Sequence, residues 1–303
     1  MIKNQAGQES LSSKDIIYYL LDRKKWIIAP TILVSLIILV VVLWLPNVYR
    51  SEVLLLPNNQ GSQSLANGLG SQLGGLASLT GINLSGGGNE ELNVALEVMK
   101  SRLFITNFIE KYELEALLFA STGWDSRSNT IIYDSKIFDK ENNSWVEGAE
   151  KPTRQEMYKS FLIDNFGYSS NKEAGTYIIS IRHYSPEVAK QILEMFVLEL
   201  NLLMKKKAIE SANLKLSYLS KAIQGESRGE MLEVLHQLTS QHVKRKMLAE
   251  IRADYIFTII DPAVVAEKKF APKRGAICIL AFLVSLILFS LVQIVNYYIR
   301  QEK

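Results

Sequence analysis

Two long, uninterrupted apolar stretches, residues 26–45 and 275–298, frame a central segment in which apolar and polar positions alternate in shorter periods. As a helix rising 1.5 Å per residue, each stretch reaches roughly 30 Å or slightly more, the thickness of a bilayer's hydrocarbon core. Neither carries the charged or periodic polar face of a soluble helix, so both are read as transmembrane helices. Trp26, Trp44, Tyr297 and Tyr298 stand at the ends, where amphipathic rings favour the interface. Pro30 lies in the first turns, where a missing donor costs least. The alternative for the first stretch, a cleaved signal peptide, calls for a shorter apolar region of about 7–15 residues and a small-residue cleavage site.

Between these stretches, Val48-Tyr49-Arg50-Ser51-Glu52-Val53-Leu54-Leu55-Leu56 is rich in strand formers and stopped by Pro57. Residues 61–88 hold nine glycines among serine, asparagine and leucine, a composition that opposes regular structure. The stretch lacks both the P-loop pattern and the dinucleotide fingerprint, and is read as a loop whose leucines (Leu65, Leu69, Leu73, Leu76, Leu79) could make contacts. A helix is expected over 90–111, burying Leu92, Ala95, Leu96, Met99 and Leu103. Residues 123–148 are turn-rich, with Trp124, Tyr133, Phe138 and Trp145 read first as packing bulk and second as a carbohydrate-stacking surface. Pro152-Thr153-Arg154 opens a short helix ending near Asn165-Phe166-Gly167, and residues 176–182 form a second strand.

Ser185-Pro186-Glu187 then supplies an N-cap, a proline at the first helical position and an acid in the first turn. Apolar residues recur every three, four or seven positions from Val188 through Ile192, Met195, Leu198 and Leu202 to Leu216, Leu219 and Ile223, keeping one face apolar for about ten turns. The pattern resumes after Gly225-Glu226-Ser227-Arg228-Gly229 and continues to Leu248. A single helix over residues 186–252 would reach on the order of 100 Å; an antiparallel pair folded at 225–229 is the competing geometry. A third strand, residues 255–260, precedes Asp261-Pro262. The first and third strands are expected to pair, with the second alongside. The expected fold is α+β: two transmembrane helices flanking a domain with a small membrane-proximal sheet and a long projecting helix. Its divisions are a tail (1–25), the first span (26–45), the domain (46–274) with its long helix (186–252), the second span (275–298) and a second tail (299–303). Three short strands cannot cover the whole helical stripe, so Leu216, Leu219 and Ile223 are candidate contacts between subunits.

Charge sets the expected orientation. Arg23, Lys24 and Lys25 abut the first span, with Lys14 and Lys3 further out, whereas Arg50 alone follows closely, which places both termini in the cytoplasm and the domain across the membrane. Lys268, Lys269, Lys273 and Arg274 before the second span run against this, but the first helix usually dominates. A formal charge of +3 over 303 residues suggests no nucleic-acid partner. The single cysteine, Cys278, excludes an intrachain disulfide and is read as a packing residue. His236 and His242, six apart, stand about 240° around a helix and share no metal-binding face. No Walker motif, nucleophile elbow or kinase set occurs, so no catalytic residue, cofactor or metal is expected.

Several segments together resemble the Wzz-type chain-length determinants, or polysaccharide co-polymerases: Val48-Tyr49-Arg50-Ser51 through Leu56-Pro57, Met99-Lys100-Ser101-Arg102 with Phe104, Tyr184-Ser185-Pro186-Glu187-Val188-Ala189, Asp261-Pro262-Ala263 and Pro272-Lys273-Arg274. Their order, spacing and two-span frame cover nearly the whole chain. The proline-rich stretch common in such proteins is thin here, with Ala266-Glu267 in place of a further proline. The resemblance implies a periplasmic α/β base, a projecting helix, and a ring-like homo-oligomer in the inner membrane of a Gram-negative cell. It implies a regulator of O-antigen length in lipopolysaccharide, acting with a Wzy-type polymerase and transferring no sugar itself. The growing lipid-linked glycan and membrane lipid are further expected partners. Pro262, Pro272, Lys273 and Arg274 would form a membrane-proximal motif. Some relatives carry a cytoplasmic kinase, for which residues 300–303 leave no room. The alternatives are a capsule or exopolysaccharide co-polymerase working with a separate kinase, and a two-span periplasmic sensor, which should carry an output domain.

Overall fold

The computed structural model describes residues 22–58 and 87–301. In chain order its helices are α1 (Lys24–Trp44), α2 (Gly87–Met99), α3 (Arg102–Lys111), α4 (Glu115–Phe119), α5 (Arg154–Ser160), α6 (Pro186–Gly225), α7 (Gly229–Ile251) and α8 (Arg274–Gln301). The strands are β1 (Tyr49–Pro57), β2 (Ser121–Asp125), β3 (Thr130–Tyr133), β4 (Phe138–Asp139), β5 (Ser144–Trp145), β6 (Phe166–Asn171), β7 (Thr176–His183) and β8 (Phe257–Asp261). Residues 61–86 of the glycine-rich stretch, Lys3 and Lys14 lie outside the described residues, as do the last two residues. The chain forms two compact units, one holding α1 and α8, the other spanning Val48–Lys269.

In the first unit α1 and α8 pack side by side. Ile27, Thr31, Val42 and Ser285 are buried, and the small polar side chains close their own donors onto the helix: Thr31 Oγ1 donates to Ile27 O (2.7 Å) and Ser285 Oγ to Phe282 O (2.9 Å). Small buried residues of this kind let helices approach closely in an apolar solvent. Leu33, Ile37, Ile279 and Leu280 remain exposed, as do Trp26 and Trp44 at the two ends of α1. Both helices are long and apolar enough to cross a membrane.

The second unit is built on a four-stranded antiparallel sheet in the order β6-β7-β1-β8. Strand β1 is central, pairing with β7 (Val53↔Ile179) on one side and with β8 (Leu55↔Ile259) on the other. The first and third sequence-expected strands thus pair, with the second on β1's other edge. Alternation along β1 buries Ser51, Val53 and Leu55 on one face. Across that face runs α6, burying Ala189, Ile192, Leu193, Phe196, Val197 and Leu200. Five phenylalanines, Phe104, Phe108, Phe161, Phe166 and Phe196, knit α3, the π-helical turn Phe161–Asn165 that follows α5, and β6 to α6, with Phe108 and Phe196 edge-to-face at 5.3 Å.

Three expectations need correction. Residues 90–111 are two helices, because Ser101 leaves helical geometry and its Oγ accepts the Phe104 N–H at 3.3 Å, starting α3. Residues 186–252 are likewise two helices, α6 and α7, interrupted at Glu226-Ser227-Arg228, where Glu226 accepts from the N–H groups of Ser227 and Arg228 (3.0 Å each). They fold back on one another: Lys205 Nζ, far along α6 from the break, reaches the last carbonyls of α7 at Glu250 (2.8 Å) and Arg252 (3.0 Å). The long element is therefore a hairpin of about 60 Å, not a rod of 100 Å. Finally, β6 is an additional strand; Gly167 lies so close to Ser180 that a Cβ there would meet its Oγ at 2.4 Å. Residues 123–148 fold as two small hairpins, β2–β3 and β4–β5, with Phe138 buried between Tyr133 and Trp145.

Candidate functional site

The root of the α6–α7 hairpin is fixed by two polar side chains of α6. Asn201, 2% exposed, accepts the N–H groups of Ile256 and Phe257 with Oδ1 (3.0 Å each) and donates Nδ2 to Phe257 O (3.0 Å). Phe257 begins the edge strand β8, and this side-chain amide stands in for the backbone of a missing neighbour strand. One turn further, Lys205 places its charge on the α7 carbonyls, where the helix dipole favours a cation.

Beyond these ties opens a cleft of about 360 Å³, lined by Lys207, Ala208, Ser211 and Lys215 of α6, by His242, Arg245 and Leu248 of α7, by Arg252 and Tyr255 after α7, and by Glu90, Glu91 and Asn58. The Arg252 guanidinium donates to Asn58 Oδ1 (3.0 Å), and the Tyr255 hydroxyl donates to Glu91 Oε2 (3.2 Å). Burial, with Glu91 beside it, pushes the Tyr255 hydroxyl well above the usual phenol range. Burial and the nearby positive charges of Lys215 and Arg245 hold His242 below the ordinary imidazole value.

The sequence-expected residues are distributed differently. Leu216, Leu219 and Ile223 are half-buried on the stretch of α6 that runs beside α7, while Leu214 (58% exposed) and Tyr218 (64%) face outward. Arg274 opens α8 and donates Nη2 to Leu45 O (3.0 Å) and Asn47 Oδ1 (3.3 Å), capping the C-terminal end of α1. Lys273 is exposed and Pro272 half-buried. In the other unit Pro262 is exposed, next to buried Ala263, and the Val264 carbonyl accepts the Ser51 hydroxyl at 2.8 Å. The motif is thus two local devices, one in each unit. Among the described residues no group of three or more His, Cys, Asp or Glu side chains could hold a metal. His183 is buried in a fully satisfied position: Nδ1 accepts the Ser185 N–H (3.0 Å) and Nε2 donates to Leu117 O (2.9 Å).

Sequence reasoning missed Asn201 and the cleft residues. The signal for Asn201 was available, a lone polar residue on the apolar stripe between Val197 and Met204.

The resemblance was found in β1, at the junction of α2 and α3, at the start of α6, just after β8 and just before α8, and the family comparison covers the first two of these. Residues 10–112 match the Wzz family, "Chain length determinant protein". The matched segment contains α1, β1, α2 and α3. No curated protein matches the chain. Among solved structures, the chain is similar to a full-length bacterial polysaccharide co-polymerase at 11% identity and a TM-score of 0.39, covering 95% of this chain and 98% of that one. It is also similar to a fragment of WzzB, a polysaccharide co-polymerase from Salmonella Typhimurium, at 11% identity and a TM-score of 0.36, covering 74% of this chain and 100% of that one.

Proposed function

We propose that this protein regulates the chain length of lipopolysaccharide O-antigen. The observation that carries the reading is the match of residues 10–112 to the chain length determinant family. The residue pattern extends it through Ser185-Pro186-Glu187 to Pro272-Lys273-Arg274. The protein acts as a non-enzymatic component of the inner membrane, anchored by α1 and α8, with both termini cytoplasmic and Val48–Lys269 in the periplasm. Arg23, Lys24 and Lys25 before α1 support this orientation. It works beside a Wzy-type polymerase, which supplies the chemistry.

Assembly into a homo-oligomer is supported by the apolar surface that the hairpin leaves open. Leu198, Leu202, Leu214 and Tyr218 of α6 and Met231, Val234 and Met247 of α7 are exposed, which is more than a monomeric soluble surface usually presents. Leu216, Leu219 and Ile223, half-buried beside these, contribute where a neighbouring subunit closes over the hairpin.

The test is the lipopolysaccharide profile of a deletion strain. Polymerisation is expected to continue while the preferred length cluster disappears. Complete loss of polymer would point to an enzyme, and an unchanged profile with altered capsule length would favour the capsule or exopolysaccharide reading.

A further inference from the structure

The cleft at the root of the hairpin carries charge that the fold does not use. Among the described residues, Lys207, Lys215 and Arg245 make no ion pair, although surface cations elsewhere on the same helices do, as in Lys206–Glu210 and Lys246–Glu250. Arg245 lines the cleft close enough for its field to reach both His242 and Tyr255, while that of Lys215 reaches His242 from α6. Like charges gathered in a concave site repel one another, and their convergence costs stability unless an anion sits among them.

The lining also carries carboxylates. Glu90 and Glu91 come from the start of α2, and Glu91 already accepts the Tyr255 hydroxyl. Carboxylates placed there oppose a polyphosphate but accept hydrogen bonds from sugar hydroxyls. A cleft of about 360 Å³ lies at the low end of small-ligand sites.

We infer that this cleft is a binding site for an acidic saccharide, with the sugar carboxylate held by Lys215 and Arg245 and ring hydroxyls donating to Glu90 and Glu91. The inference rests on the reading of this protein as a glycan-length regulator, and gives that regulator a point of direct contact with the polymer. It places the contact at the hairpin's root, on residues from four separate segments, so that the site exists only when α6, α7, α2 and the chain before β8 are assembled.

The experiment uses the full chain in lipid nanodiscs, with tetragalacturonate as the probe and calorimetry at an ionic strength of about 0.15 M, where unspecific surface attraction is largely screened. Binding is expected for tetragalacturonate and not for neutral maltotetraose. Lys215→Gln and Arg245→Gln, both surface substitutions, are each expected to weaken it about tenfold or more, the range for loss of one charge-assisted contact. Lys206→Gln, outside the cleft, is expected to leave it unchanged. Equal weakening by Lys206→Gln, equal affinity for maltotetraose, or displacement of the probe by inorganic phosphate at the same concentration would overturn the assignment. The deletion-strain profile is a separate readout. Loss of the length cluster with no tetragalacturonate binding refutes the cleft alone, and specific binding with an unchanged profile supports the cleft and refutes the length-regulator reading.

Discussion

Replacing Asn201 by leucine should unfasten the root of the hairpin. The side chain makes three hydrogen bonds to backbone groups of Ile256 and Phe257, all essentially buried. Leucine has the same number of side-chain heavy atoms, branched at the same carbon, and offers none. Two N–H groups and one carbonyl would face an apolar side chain, and at about 1.5 kcal/mol for each orphaned group the loss is about 4–5 kcal/mol. Burying the leucine returns about 1–2 kcal/mol. The net destabilisation of about 3 kcal/mol corresponds to a fall in Tm of roughly 6–12 °C for a unit of this size. Thermal unfolding of the detergent-solubilised chain measures it, and hydrogen exchange at the amides of Ile256 and Phe257 locates it. A Tm within about 2 °C of wild type, or unchanged protection of those two amides, would refute the reasoning, since about 1 kcal/mol is the least that one orphaned buried group costs.

Burial depresses the pKa of His183, so the unfolded chain binds the proton more readily; its contribution to stability should be complete above about pH 6.5 and fall away as the pH drops below it. His183→Gln should flatten that part of the Tm-against-pH curve, and an unaltered slope would show that His183 does not titrate there. Leu214→Asp and Leu219→Asp should shift the native mass of the solubilised protein toward smaller species and broaden the glycan length distribution, because a charge in a buried interface costs several kcal/mol; unchanged mass and lengths would sink the proposed interface. A reporter at Gly225 should be accessible from the periplasm, and cytoplasmic labelling would reverse the topology.

What could be read from the sequence depended on the range of the interaction that shaped each element. The spans, β1, β7 and the start of α6 are set by local composition and by caps a few residues long, as in Ser185-Pro186-Glu187, where Ser185 Oγ accepts the Val188 N–H. Strand β6, Phe166-Gly167-Tyr168-Ser169-Ser170-Asn171, has weak intrinsic preference and owes its conformation to pairing with β7. The break at 225–229 was visible, but whether the chain continued or turned back depended on contacts such as Lys205 to Glu250, separated by 45 positions. The cleft was illegible for the same reason: Glu91, Lys215, Arg245 and Tyr255 belong to different segments, and no local pattern announces their meeting.

The guanidinium of Arg274, bonded to Leu45 O and Asn47 Oδ1, also bears on the unfolded chain. It holds together the two points at which the polypeptide leaves and re-enters the helix pair, so the segment Val48–Lys269 is a closed loop even when its own structure is lost. Closing a loop of that length costs chain entropy worth on the order of 5 kcal/mol. While α1 and α8 stay paired, that cost is met before the domain folds. The same domain cut free of its helices should therefore be markedly less stable than its contacts alone would suggest.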